Sequence, residues 1–287
     1  MTLDDPDRRP RRSLLYMPAS NARAIEKARE LPCDGVILDL EDSVAPEAKV
    51  EARASAMAAV RAGFGGREMV IRCNAFGTPW GAADLAAAAA AGPDVVLAPK
   101  VSSAAEVHAY DRALTSAPDR TRLWIMVETA RAVLDLRELA QAAGHTRLAG
   151  MVLGPNDLCA ELRLKGPIAR AGLRTVLFQM TVAARAHGLV ALGGTYNAID
   201  DPQGFQAECV EEAGLGLDGK TLIHPSQIAP ANAAFSPSAD ELAWAREVVA
   251  AFAAPEAAGK GAIRLDGRMI ERLHLNEAER VLGLARP

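Results

Sequence analysis

From Ser13 onward, short apolar runs alternate with longer amphipathic stretches, and the alternation repeats along most of the chain. The runs are Leu14 to Met17 (closed by Pro18), Gly35 to Glu41, Met69 to Asn74, Val95 to Ala98 (ending in Pro99-Lys100), Leu123 to Val127, Met151 to Leu153, Leu189 to Leu192 and Lys220 to Ile223 (ending in His224-Pro225). Near-continuous apolar runs of this length are what strands covered on both faces look like. Helices are predicted from Ser20 or Asn21, from about Pro46, after Pro79, after Ser102 or Ser103, over Ala130 to Ala143, over about Pro167 to His187, and near Asp201. Proline at the first helical position supports the start at Pro46. Eight strand-helix units predict an α/β fold, a (β/α)8 TIM barrel over residues 13–235.

Past Ser236 the repeat stops. Ser236-Pro237-Ser238 opens a helix through Glu241, Trp244, Val248 and Phe252, apolar mostly on one face. Gly259 to Gly261 then leads to Leu265 to Glu271 and a last helix. Residues 236–287 read as a C-terminal helical extension that packs on the barrel or on a neighbouring subunit. Residues 1–12 mix Asp4, Asp5 and Asp7 with Arg8, Arg9, Arg11 and Arg12 and lack the apolar core of a signal peptide, so a disordered cytoplasmic tail is expected.

Composition narrows the class. At 287 residues, 50% hydrophobic but only 4% aromatic, the core must rest on Ala, Val and Leu. With 32 Lys and Arg against 36 Asp and Glu, the net charge of -4 offers no broad basic surface for nucleic acid. Cys33, Cys73, Cys159 and Cys209 fall at no metal-site spacing and suggest a reducing compartment. The Ala-rich piece Ala82 to Ala91 is too short and too weakly apolar to span a membrane, so no membrane partner is expected.

The chemistry of such a barrel lies at the carboxyl ends of its strands. Glu128 follows the fifth apolar run and Asp157 lies just beyond the sixth, and the intervening helix makes those strands parallel neighbours. Two carboxylates converging there repel unless something positive sits between them, which points to a hard divalent cation. The plainer alternative is that each acid supports the start of the next helix. Asp39 and Glu41 share one side of the second strand, Arg72 and Asn74 one side of the third, and Lys100 ends the fourth. A charge as deep as Arg72 is costly unless paired, so it either binds substrate or makes a structural salt bridge with Glu41 or Asp39. His224 reads as a hydrogen-bonded support rather than a ligand. Gly214 to Lys220 precedes the eighth strand and lacks P-loop spacing, so it reads as a turn. Gly193-Gly194 is either a tight turn or a place where a ligand approaches the backbone. A Schiff-base mechanism would need Lys100.

Several ordered segments carry a resemblance. Arg12 to Pro18, Leu38 to Val44, Val127-Glu128-Thr129, Leu153-Gly154 through Asp157-Leu158, Ile223 to Ile228 and Phe235 to Ser238 resemble the citrate lyase beta subunit-like proteins, which include malyl-CoA and citramalyl-CoA lyases. The resemblance implies a magnesium ion held by Glu128 and Asp157, a substrate-binding and catalytic Arg72, and CoA contacts at Tyr16, Arg23 and Lys27. It also implies a homo-oligomer, usually a trimer, whose tail reaches a neighbouring subunit. Lyases of this kind carry an acid-base aspartate after the Met-Ile pair, where this chain has Glu271. Asn156 and Gly193 also depart from acids common in the family. The expected activity is magnesium-dependent carbon-carbon cleavage, or formation, of a citryl-, malyl- or citramalyl-CoA thioester. Alternatives are a metal-dependent aldolase for free 2-oxo acids and a carrier-protein-dependent beta subunit inactive alone.

Overall fold

The computed structural model describes residues 9–284. Two compact units divide at residues 232 and 233, and Arg9 and Pro10 group with the later one. The first unit is the expected barrel. Strands β1 (Ser13–Pro18), β2 (Gly35–Asp39), β3 (Glu68–Arg72), β4 (Val95–Ala98), β5 (Arg122–Val127), β6 (Leu148–Leu153), β7 (Val190–Gly193) and β8 (Gly219–Leu222) run parallel in sequence order, and β8 pairs back onto β1 to close the barrel.

The interior is filled by Leu14, Ile37, Val70, Val95, Leu97, Trp124, Met126, Val152 and Leu192, all buried. Trp124 fits because Gly150 on β6 has no side chain: a Cβ there would lie 2.7 Å from the indole Cδ1, and the β5–β6 register shifts at Leu123/Trp124. Below it, Arg11 stacks on the Trp124 ring at 5.6 Å and holds Glu68 through two hydrogen bonds of 2.7 and 2.8 Å. Arg12 likewise grips Asp34 at 2.7 Å. The tail expected over residues 1–12 therefore has its last two residues fixed by ion pairs, while residues 1–8 lie outside the described region.

The single helix expected over Ala130 to Ala143 is instead two short helices, Ala130–Leu134 and Leu136–Gln141, and a 3-10 turn. Asp135, at φ -102 and ψ 15, interrupts it. Strands β2 and β3 end at Asp39 and Arg72, short of the expected Glu41 and Asn74, so Glu41 and Asn74 stand in the loops beyond them.

In the second unit, Ser238 caps the helix Ala239–Ala253 in a capping box with Glu241. The segment before the last helix, Arg272–Leu284, is a hairpin of β9 (Ala262–Leu265) and β10 (Arg268–Glu271). Its turn residues Asp266 and Gly267 both have positive φ, 48° and 79°, the geometry that suits a tight hairpin. Ala245, Val248, Ile270, Ala278 and Val281 form this unit's own core. Among the described residues, no helix is long and apolar enough to cross a membrane.

Candidate active site

Asp39 and Arg72 are register partners at the ends of β2 and β3. Arg72 donates from Nε and Nη2 to the two Asp39 oxygens at 2.6 and 2.7 Å, and its Nη1 lies 3.0 Å from Glu41 Oε2. Its guanidinium also stacks over the Tyr16 ring at 4.9 Å. Burial favours a neutral Asp39, but the Arg72 hydrogen bonds and charge outweigh it and hold the carboxyl below its usual range. The Tyr16 hydroxyl is buried with no hydrogen-bond partner.

Glu128 follows β5 directly and is 1% exposed. It does not cap the next helix; Thr129 does, its side chain accepting from the Ala132 N–H. Instead Glu128 Oε1 accepts the backbone N–H of Lys100 at 2.6 Å, and Oε2 is buried without a partner. Gly154 makes the room, since a Cβ there would collide with the Glu128 side chain. Burial, reinforced by the charge of Glu41, pushes the Glu128 carboxyl up to about 7. Asp157 stands in the first turn of the helix Pro155–Leu162, whose N-cap is Gly154. The Lys100 ammonium lies 3.5 Å from Asp157 Oδ1, 3.0 Å from Glu41 Oε1 and 4.0 Å from Asp42 Oδ1. Glu128 and Asp157 thus meet in one cluster, each tied to Lys100.

This donor set fits a hard cation. One oxygen of the Glu128 carboxylate is desolvated and unpartnered, and a second carboxylate, that of Asp157, is half-exposed and near enough for its charge to act on Glu128. Two carboxylates that leave coordination positions to water and substrate suit magnesium better than zinc.

Residues 12–225 match the profile of the HpcH/HpaI aldolase/citrate lyase family. The chain belongs to this family. It is 44% identical over 277 residues to a (3S)-malyl-CoA thioesterase of Cereibacter sphaeroides, covering 96% of this chain and 95% of that protein. It is 32% identical over 308 residues to an L-malyl-CoA/beta-methylmalyl-CoA lyase of the same species, covering 98% and 96%. The protein CitE of Mycobacterium tuberculosis in complex with magnesium, acetoacetate and coenzyme A superposes with a TM-score of 0.76 at 33% identity, covering 97% of this chain and 99% of that one. A citrate lyase beta subunit of M. tuberculosis complexed with oxaloacetate and magnesium gives 0.69 at 34% identity, covering 80% and 99%. The resemblance drawn from the sequence motifs is borne out.

Against the HpcH/HpaI pattern, the remaining expected residues fall as follows. Arg23 and Lys27 are exposed on the helix Ala22–Ala28, which leaves the carboxyl end of β1. Tyr16 packs inside the barrel against Arg72. Glu271 ends β10 in the second unit, half-buried, with its backbone N–H donating to His274 Nδ1 at 2.9 Å. Asn156 accepts from Asn197 at 2.6 Å. His224 is a support, its Nδ1 accepting the Ser226 N–H at 3.2 Å.

Gly193 ends strand β7 rather than forming a tight turn, and it does not open the backbone to a ligand. The space its side chain would take is filled by the carboxylate of Glu212, which is 3% exposed. Glu212 Oε1 and Glu208 Oε1 each accept from the fully buried Lys220 at 2.8 Å, and Glu212 Oε2 has no partner. Sequence reading overlooked this triad, because a lysine opening a strand reads as solvated.

Lys100, expected at the end of the fourth strand and as the residue a Schiff-base mechanism would need, lies in the carboxylate cluster. Burial lowers its basicity, but the hydrogen bond and charge of Glu41, with Glu128 and Asp42, raise it overall above the ordinary lysine value. An ammonium held this firmly is a poor nucleophile.

Proposed function

We propose that this chain is a magnesium-assisted enzyme acting on 3-hydroxy-3-carboxyacyl-CoA thioesters of the malyl-CoA class, and that it cleaves the bond between the thioester α-carbon and the carbinol carbon. The observation that carries this reading is the unpartnered, buried Oε2 of Glu128 in one cluster with Asp157 and the clamped Arg72. Glu128 and Asp157 would hold the ion, which supplies Lewis acidity toward the substrate's hydroxyl and carboxylate.

In that reaction the hydroxyl proton passes to solvent water, the carbinol carbon becomes the carbonyl of a 2-oxo acid, and the carbon-carbon electron pair passes to the thioester as an enolate. Arg72, fixed by Asp39, presents a permanent positive charge to the enolate oxygen without reorganising. A proton then adds to the enolate carbon; Glu271 of a neighbouring copy in a homotrimer is the proposed donor. Arg23 and Lys27 would bind CoA phosphates through charge-assisted hydrogen bonds.

A second reading is hydrolysis, in which water adds to the thioester carbonyl and the thiol leaves. It is favoured by the 44% identity to a malyl-CoA thioesterase against 32% to a malyl-CoA lyase, and by Glu271 at the position where the resemblance implies an aspartate in lyases. Incubating the isolated chain with malyl-CoA separates the two. Cleavage yields acetyl-CoA and glyoxylate, whereas hydrolysis yields malate and a free thiol. Activity only on carrier-bound acyl groups, or only on free oxo acids, would refute both, and full turnover in chelator would remove the metal.

A further inference from the structure

We propose that Lys100 is a counter-ion that competes with a divalent cation for this site: its ammonium pairs with Glu41 and Asp157 and gives up Asp157 when a cation binds, while its backbone N–H holds Glu128 in place throughout. The inference rests on the magnesium reading above and assigns a role to a residue outside the proposed ligand set.

Lys100 reaches both proposed ligands, with different parts of itself. Its backbone sits at φ 54, a left-handed conformation that residues with a Cβ seldom adopt. That turn lets its N–H meet Glu128 Oε1 at 2.6 Å, leaving Oε2 bare. The side chain places Nζ among Glu41, Asp157 and Asp42 at 3.0, 3.5 and 4.0 Å.

Among the described residues, two cationic side chains pair with the carboxylates of the site, Arg72 and Lys100, and they are not equivalent. Arg72 is 8% exposed and locked to Asp39 by two hydrogen bonds, so it cannot leave. The Lys100 side chain is 40% exposed on a flexible stem, with its shortest contact to Glu41 rather than Asp157. Releasing Asp157 leaves Lys100 still paired with Glu41. Arg72 offsets Glu41, whereas the repulsion of Asp157 by Glu41 and Glu128 is offset by the Lys100 ammonium, so Lys100 helps to hold these carboxylates together. The same charge opposes an incoming cation.

The test is magnesium titration by calorimetry without substrate, on wild type, K100M and K100R. K100M keeps the chain length and backbone and removes the charge. Its magnesium affinity is expected to tighten about tenfold, the scale of one unit-charge repulsion discounted for solvent. K100R should stay near wild type. In chelator the Tm of K100M should fall below wild type, and its rise on adding magnesium should exceed the wild-type rise. If K100M does not fold, K100Q is titrated in its place with the same expectation.

Equal or weaker magnesium binding by K100M, or by K100Q in its place, overturns the competing counter-ion role. With wild type binding magnesium and E128Q not binding, that result would leave the metal reading standing. If wild type binds no magnesium, the metal reading and this inference fall together.

Discussion

Asp39 and Arg72 face each other across neighbouring strands, and a two-pronged ion pair of 2.6 and 2.7 Å fixes the guanidinium inside the barrel. Asp39→Asn keeps the shape but leaves Arg72 short of one charge, and breaking such a buried pair should cost about 3 kcal/mol in urea unfolding. Arg72→Lys keeps the charge but loses the fork. Turnover should fall at least about a hundredfold while magnesium binding persists. Wild-type turnover in Arg72→Lys would remove it from the chemistry.

Glu128 titrates near 7 because burial disfavours its charged form. Metal ligation needs the carboxylate, so below about pH 7 each unit of acidification should weaken magnesium binding roughly tenfold, with about one proton released per ion bound. Calorimetry in buffers of different ionisation enthalpy counts that proton. The sign for stability follows from the same shift. An acid raised in the folded state binds more protons folded than unfolded, so its contribution erodes as pH rises from about 4.5 to about 7. In chelator at pH 8, Glu128→Gln should therefore be more stable than wild type, on the order of 2 kcal/mol, with the gap closing toward pH 4.5.

Gly154→Ala adds one methyl group where the Glu128 side chain already lies. Magnesium affinity should drop at least about tenfold, and stability by about 1–3 kcal/mol. Gly144→Ala, where an added Cβ meets nothing within 4 Å, is the control. Equal behaviour of the two variants in titration and unfolding would contradict the packing argument.

Arg23 and Lys27 share one exposed helix face four residues apart. Replacing both with Ala should weaken CoA binding about tenfold or more, and the loss should shrink as salt rises. Binding of a free oxo acid should not change.

Gly193→Ala should destabilise the barrel by about 2 kcal/mol, because its methyl group meets the Glu212 carboxylate. Glu212→Ala in the same chain should relieve that collision, giving a double mutant more stable than the two single effects predict. Additive effects in the cycle would show that the two positions do not touch.

How much of this was legible depended on the kind of contact. Seven of the eight barrel strands are rich in Val, Leu, Ile or Met, and β8, which reads Gly-Lys-Thr-Leu, was still placed by the run Lys220 to Ile223; the helix expected over about Pro167 to His187 spans Pro167–His187, with Gly166 and Gly188 at its two ends. The meeting of Glu128 with Asp157 followed from one β-α-β unit, a local inference. Lys100's hold on both acids was hidden because nothing in the letters marks a lysine at positive φ. The break at Asp135 was hidden because the surrounding residues suit a helix. The hairpin around Asp266-Gly267 was passed over although that dipeptide is a strong turn signal; the short strands beside it are exposed or half-exposed at most positions and lack an apolar run.

The carboxylate of Glu212 lies where residue 193 would otherwise carry its side chain, and it is anchored there by Lys220. The two positions are thus bound into a single evolutionary choice. A descendant that places a side chain at 193 must first shorten or withdraw the one at 212, and an acid placed at 193 could then take over the lysine. Sequence drift in this part of the barrel should run through paired exchanges, with intermediates carrying both groups, or neither, at a disadvantage.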